Sequence, residues 1–132
     1  MSQQTHVMSL EAALEMLSNL DGISGHETEV RRAIKPQLKD FVDEMRIDAM
    51  GNLIVYKAGT GVMDLKVLVT AHMDEVGLMV VDHESDGSLH VDTVGGIPDR
   101  LLPGLTVRVG DDGKPGVIGL QAIHRADGQT FR

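Results

Sequence analysis

Two residues with the chemistry of a metal site follow an apolar run in this chain, a histidine that could bind the metal ion and a carboxylate that could orient the histidine. His72 comes directly after Leu68-Val69-Thr70-Ala71, and Asp74 lies two residues further on. In extended backbone, residues two apart share a face, so we expect His72 and Asp74 to approach each other while Glu75 points away. A carboxylate beside a metal-ligating imidazole fixes its tautomer. The same spacing also fits a histidine whose ring is simply satisfied by a neighbouring carboxylate, and the motif alone leaves both interpretations open.

The element that would position this pair is the apolar segment Leu65–Thr70. Its lack of regular polar alternation is typical of a strand buried on both faces of a parallel α/β sheet. Such sheets bind their ligands at the carboxyl ends of the strands. The sequence therefore predicts that His72 and Asp74 lie at the carboxyl end of a central strand.

Two helices and two short strands are predicted ahead of this segment. Apolar spacing and a capping serine predict a helix over Ser9–Leu20. A Ser-x-x-Glu capping box from Ser24 to Glu27 starts a second helix, which Pro36 should kink or shorten. A turn over Met50-Gly51-Asn52 joins the expected strands, which are Met45–Asp48 and Leu53–Tyr56.

After His72 the helical patterns stop and turn-rich separators appear. The short strands predicted there are Val76–Val81, Ser88–Val94, Leu105–Val109 and Val117–Leu120. Strands of this length with Gly- and Pro-containing turns are typical of a small β barrel or sandwich. We therefore expect a domain boundary near residues 73–75.

Composition limits the classes of protein to consider. The chain has 132 residues, 42% of them hydrophobic, 2% aromatic and none of them cysteine, with a net charge of −8. This length is enough for one ordinary domain and too short for two large ones, and the lack of cysteine excludes disulfides and thiolate metal sites. The negative charge argues against binding to nucleic acid or an anionic membrane. No signal peptide and no apolar stretch approaching the ~20 residues of a membrane helix is visible, so a cytoplasmic location is expected.

Other histidines and carboxylates are weaker candidates. His26 is expected in the first turn of the second helix. His83 and His90 flank the Asp86-Gly87 turn and could approach each other across a hairpin, but solvated positions are expected, since two histidines are too few for a specific zinc site. Gly95-Gly96 is expected to form a backbone bend rather than a phosphate-binding loop. Glu75 and Asp74 cannot flank one glycosidic bond, because neighbouring strand residues point to opposite faces.

An ordered set of motifs resembles the start of the tetrahedral (TET) dinuclear metalloaminopeptidases. This family contains glutamyl and deblocking aminopeptidases, and some of its relatives carry the label cellulase or endoglucanase. A further match is His124, where the family often carries a histidine. The matching stretches are Gly22-Ile23-Ser24-Gly25-His26-Glu27, Val30-Arg31, Asp48-Ala49-Met50-Gly51-Asn52-Leu53, Ala71-His72-Met73-Asp74-Glu75-Val76-Gly77, Val94-Gly95-Gly96-Ile97 and Gly116-Val117-Ile118-Gly119.

The resemblance implies an α/β metallopeptidase domain with an inserted, β-barrel-like dimerisation domain. Residues 1–73 would form the N-terminal part of the catalytic domain and residues 74–132 part of the dimerisation domain, both incomplete. By the same resemblance, His72 is a metal ligand and Asp74 is the catalytic-site carboxylate that orients it. The implied cofactor is a divalent metal, two ions per complete site, zinc or cobalt. The implied partners are a peptide substrate and further copies of the chain, as a dimer or dodecamer.

The family's remaining site residues are expected downstream of this sequence. They are a metal-bridging Asp, a Glu-Glu pair, a further Asp and a late His. A two-metal site needs such a set to clamp and polarise water. We therefore expect a truncated portion of an aminopeptidase that is inactive alone. The alternative is a non-catalytic remnant whose β half serves as an association module.

Overall fold

The computed structural model describes residues 8–62 and 65–119. The chain divides into two compact units, Met1–Glu75 and Val76–Arg132. The first contains both helices and one hairpin, and the second contains two hairpins and a short 3-10 helix. The helices and strands are α1 (Leu10–Ser18), α2 (Thr28–Leu38), β1 (Glu44–Ile47), β2 (Leu53–Tyr56), β3 (Gly77–His83), β4 (Leu89–Val94), β5 (Thr106–Val109) and β6 (Lys114–Val117).

Helix α1 confirms the amphipathic helix that the apolar spacing predicts. Ser9 caps it, because the Ser9 hydroxyl accepts a hydrogen bond from the Ala12 amide at 3.2 Å. This bond satisfies one of the backbone donors that the first turn leaves without an intrahelical partner.

Helix α2 starts later than the capping box predicts. Glu27 occupies the N-cap position, so Ser24 is not the cap. The Glu27 carboxylate instead accepts the Gly25 amide at 2.6 Å, inside the turn that precedes the helix. Pro36 lies within α2, and the helix ends two residues later at Leu38, consistent with the loss of a backbone donor at proline.

The hairpin of β1 and β2 is antiparallel, as predicted, and its turn is organised by one carboxylate. Asp48 accepts the backbone amides of Met50 and Asn52 and the side-chain amide of Asn52, at 2.9–3.0 Å. These bonds, the Asn52 side chain foremost, lower the pKa of Asp48. Arg31 of α2 donates to the Gly51 carbonyl and so ties the helix to this turn.

The strand predicted over Leu65–Thr70 is wrong as a paired strand. Residues 65–70 belong to no described sheet, and Leu68 and Val69 are 86% and 88% exposed. An extended segment becomes part of a sheet only where a neighbour exchanges backbone hydrogen bonds with it. Among the described residues, no strand pairs with residues 65–70. The nearest backbone pairing follows the segment, where Ile23 forms an isolated parallel bridge with Glu75.

The second unit is built from two antiparallel hairpins, β3 with β4 and β5 with β6. Strands β3, β4 and β5 lie within about a residue or two of their predicted positions. The last strand begins at Lys114 rather than at Val117. The turn between β5 and β6 is therefore shorter than predicted. Each described sheet has two strands. The described part of the chain therefore has helices with small antiparallel sheets, and the barrel-like closure stays a prediction.

The described part of the chain has a small apolar interior. Val30 of α2, 6% exposed, is the buried hydrophobic residue of residues 8–62 and 65–119. It lies against Gly22, whose backbone is also buried. No helix among the described residues is long and apolar enough to cross a membrane.

The bend after β4 offers a test of packing in the second unit. Gly95 has φ +86° and a Cβ there would lie 2.8 Å from Val76 Cγ1, whereas Gly87 has φ +88° and open space around it. Substitution with alanine strains the backbone at both sites by about 1–2 kcal/mol. Gly95→Ala should lower the free energy of unfolding by about 1–3 kcal/mol more than Gly87→Ala, because it also overpacks Val76.

Urea unfolding of the two variants measures this difference, with Gly87→Ala as the matched control. Adding Val76→Ala to Gly95→Ala should recover most of the excess loss, since it removes the Cγ1 atom that the new Cβ would meet. Equal losses for Gly87→Ala and Gly95→Ala would show that the contact with Val76 does not matter.

Candidate functional site

The structure brings His72 and Asp74 together. His72 Nδ1 lies 2.9 Å from the Asp74 backbone oxygen and 3.2 Å from Asp74 Oδ1. Both oxygens are hydrogen-bond acceptors, so Nδ1 carries the proton. In the neutral form of the ring, Nε2 then presents its lone pair. This arrangement is the one that a metal-binding imidazole requires, with an oxygen partner on the nitrogen that does not bind the metal.

The pair is open to solvent. The side chain of His72 is 85% exposed and that of Asp74 is 40% exposed. The expected position at the carboxyl end of a central strand is not observed, because residues 65–70 have no described strand partner. The local backbone nevertheless brings the two side chains within reach, since residues two apart in an extended segment share a face.

Backbone pairing holds the segment that carries this pair. The Glu75 amide donates to the Gly22 carbonyl at 2.8 Å, and Ile23 forms a parallel bridge with Glu75. Gly22 and Ile23 belong to the loop that leads into α2. The candidate site is therefore attached to the start of the second helix rather than to a sheet.

The candidate site has one histidine that could bind a metal ion and the carboxylate that contacts it. Within residues 8–62 and 65–119, no group of three or more His, Cys, Asp or Glu side chains could hold a metal ion. Zinc sites use three or four protein ligands. The chemistry of His72 and Asp74 fits one ligand of such a site, and the other ligands of a two-metal site would come from elsewhere.

The structure also describes three of the weaker histidine candidates, which are His26, His83 and His90. His26 lies two residues before α2, where its amide donates to the Ile23 carbonyl at 2.8 Å, so its predicted place in the first helical turn is wrong. His83 and His90 do not face each other, because His90 is paired with Asp82 and His83 with Leu89. His124 lies outside the described residues.

A second histidine–carboxylate contact, which sequence reasoning missed, closes the β3–β4 hairpin. His90 Nε2 lies 2.8 Å from Glu84 Oε1, and both side chains are exposed. The hydrogen bond that His90 donates to Glu84 raises the pKa of His90, with smaller contributions from the charges of Glu84 and Asp82. The signal in the sequence was the placement of Glu84 and His90 on opposite sides of the Asp86-Gly87 turn.

Comparison with known proteins gives a consistent result. Residues 51–131 match the model of the M42 glutamyl aminopeptidase family. A putative aminopeptidase of Acetivibrio thermocellus is 40% identical over 106 residues, which is 80% of this chain. Among solved structures, an endoglucanase of Thermotoga maritima is 44% identical over 82% of this chain, with a TM-score of 0.75. The TET1 peptidase of Pyrococcus horikoshii, which can assemble into a tetrahedron or a large octahedral shell, is 40% identical over 92% of this chain, with a TM-score of 0.72.

The matches cover only part of each relative. The chain spans 30% of the Acetivibrio protein, 34% of the Thermotoga chain and 36% of the Pyrococcus chain. The resemblance to the aminopeptidase family inferred from the sequence is thus confirmed. The activity of the longer relatives is a property of proteins about three times the length of this one.

The contact between His90 and Glu84 leads to a prediction about the pKa of His90. Glu84→Gln should lower the pKa of His90 towards its ordinary value, because the replacement removes both the charge and the carboxylate acceptor. Asp112→Asn, which removes a charge elsewhere in the second unit, should change the pKa much less. Histidine-resolved NMR titration of the three proteins measures the shifts.

The sign of the stability effect follows from the raised pKa. Stabilisation by His90 is fully present below the unfolded value of 6.5 and is lost as pH rises through the higher folded pKa. The difference in stability between the wild-type chain and Glu84→Gln should therefore be larger at about pH 5.5 than at about pH 8.5. A difference that grew with pH would contradict the assigned contact.

Proposed function

This chain belongs to the M42 glutamyl aminopeptidase family, and we propose from this that it forms part of an enzyme that removes N-terminal residues from peptides. The observation that carries the proposal is the contact of His72 Nδ1 with Asp74, which leaves Nε2 free for a metal ion. The names of the relatives support the reaction class.

His72 and Asp74 have different roles in this proposal. His72 binds one metal ion through Nε2, and Asp74 is the positioning residue that holds the ring and its Nδ1 proton. The bound metals, two divalent ions such as zinc or cobalt, would polarise the attacking water and the scissile carbonyl. The exposure of His72 leaves room for ligands and substrate from outside the described residues.

The division of the chain into two units suggests separate catalytic and dimerisation roles. We infer that residues 1–73 contribute to the catalytic domain and residues 74–132 to a dimerisation domain with a barrel-like fold. The assembly of the Pyrococcus TET1 peptidase supports self-association of the complete protein, as a dimer or dodecamer. A cytoplasmic location is part of the same proposal.

The 132-residue chain alone should not hydrolyse aminoacyl-p-nitroanilides in the presence of zinc or cobalt, because one histidine and its partner are too few ligands. A chimera in which this chain replaces the matching segment of the Acetivibrio aminopeptidase should be active. In the chimera, Asp74→Asn should reduce kcat/KM by about 10–100-fold. His72→Ala should reduce it further.

His83→Ala is the matched control, since His83 is also an exposed histidine but lies outside the proposed site. An active chimera that tolerates His72→Ala would refute the assigned ligand. Turnover by the 132-residue chain that disappears in His72→Ala would mean that this chain holds more ligands than the proposal allows.

Self-association should also be measurable with the 132-residue chain. Leu68 and Val69 lie in an exposed apolar segment, and such patches promote assembly. The net charge of −8 opposes assembly, but its range is about a Debye length of ~8 Å at physiological salt. We expect a dimer or larger species in size exclusion with light scattering.

Replacing both Leu68 and Val69 by serine should shift the chain towards a monomer. The same replacement at Leu10 and Leu14, which are also exposed, is the matched control and should have a smaller effect. A sharp monomer of 14.3 kDa for the unmodified chain would exclude this mode of association.

A further inference from the structure

We propose that Gly22 is a positioning residue for the His72–Asp74 pair, acting through the backbone of residues 73–75. The inference deepens the proposed function, and the catalytic meaning of the pair rests on that function. The packing of Gly22 and its hydrogen bond to Glu75 do not depend on that function. Gly22 lies fifty residues before His72 in the sequence, and its missing side chain leaves the space that Val30 fills beside the loop bonded to Glu75.

The link between Gly22 and the site is a hydrogen bond of the backbone. Its carbonyl accepts the Glu75 amide at 2.8 Å, and the next residue, Ile23, bridges Glu75 in parallel. Asp74 lies directly before this anchor point. Asp74 supplies both oxygens that contact His72 Nδ1. A displacement of Gly22 is therefore transmitted to the acceptors that hold the imidazole.

Glycine is required at this position for space. The backbone of Gly22 does not have a positive φ, so its dihedral angles are available to other residues. A Cβ at Gly22, however, would lie 2.7 Å from Val30 Cγ2 and 3.4 Å from the Met73 carbonyl oxygen. The first distance is far inside van der Waals contact, and the second is an ordinary contact.

Val30 cannot easily move to make room. It is buried at 6% exposure in the first turn of α2, and β-branched side chains have few rotamers in a helix. The neighbouring Arg31 also holds α2 to the Gly51 carbonyl. We therefore expect Gly22→Ala to displace the loop backbone, and with it the Glu75 hydrogen bond, rather than the helix.

The test is the tautomer of His72 in the 132-residue chain, without metal, by long-range ¹H–¹⁵N NMR. In the wild-type chain Nδ1 should carry the proton and Nε2 should be unprotonated. Gly22→Ala should move Nε2 towards the protonated signal, as the ring loses its fixed acceptors. Gly59→Ala is the matched control, because Gly59 has no atom within 4 Å of a new Cβ, and it should leave the signal unchanged.

Val30→Ala separates positioning from general stability. It should lower the unfolding midpoint while leaving the His72 signal in place, because it removes buried methyl groups but not the Gly22–Glu75 bond. The double variant Gly22→Ala with Val30→Ala should restore the wild-type signal. The nearest remaining atom of residue 30 would then be its Cβ, 3.9 Å from the new methyl group.

Three results would overturn the proposal. They are an unchanged His72 signal in Gly22→Ala, an equal change in Val30→Ala, and the absence of rescue in the double variant. All three are independent of turnover. A failed activity assay of the chimera would therefore refute the proposed function and leave the positioning role of Gly22 intact.

Discussion

The close approach of Gly22 to Val30 and Met73 is the contact on which the first unit depends. It joins the loop before α2 to the segment that carries His72 and Asp74, and it places the buried apolar residue of the described chain at the junction. The backbone bond from Glu75 to Gly22 fixes the register of this approach. Because protein interiors are densely packed, one additional methyl group at such a junction has structural consequences.

Helix α2 connects this junction to the neighbouring hairpin. Val30 contacts the Gly22 loop, and the next residue, Arg31, donates to the carbonyl in the β1–β2 turn. That turn is held in shape by Asp48. Adjacent residues of one helix thus hold two loops, and both loops belong to the motifs that match the family. Their role in this structure is to anchor backbone rather than to provide chemistry.

The second unit is organised by local contacts. Its hairpins form from local turns, and Glu84 and His90 add an exposed contact across one of them. Exposed ion pairs of this kind stabilise weakly. The faces of a hairpin are set by which residues are opposite each other. The irregularity between Val80 and Asp82 in β3 places Asp82, rather than Val81, opposite His90. A one-residue change in register reverses such an assignment.

Local patterns in the sequence were sufficient for most elements. Helix α1 followed from apolar spacing and a serine cap, and the hairpins followed from short apolar runs between turns. The His72–Asp74 contact followed from a spacing of two residues, because it is made within one short extended segment. The family was evident from the order of several motifs.

Tertiary structure decided what depends on distant partners. Helix α2 starts later than predicted because Glu27 bonds within the preceding turn. The apolar segment 65–70 has no strand partner among the described residues, and a strand in a sheet requires hydrogen bonds from a neighbour. The requirement for glycine at position 22 arises from the Val30 side chain eight residues later, and its link to the site is the hydrogen bond from the Glu75 amide. The sequence by itself determined most of the helices and strands, the family and the pairing of His72 with Asp74. Only the tertiary structure decided what holds that pair, since packing across such separations leaves no periodic pattern in the chain.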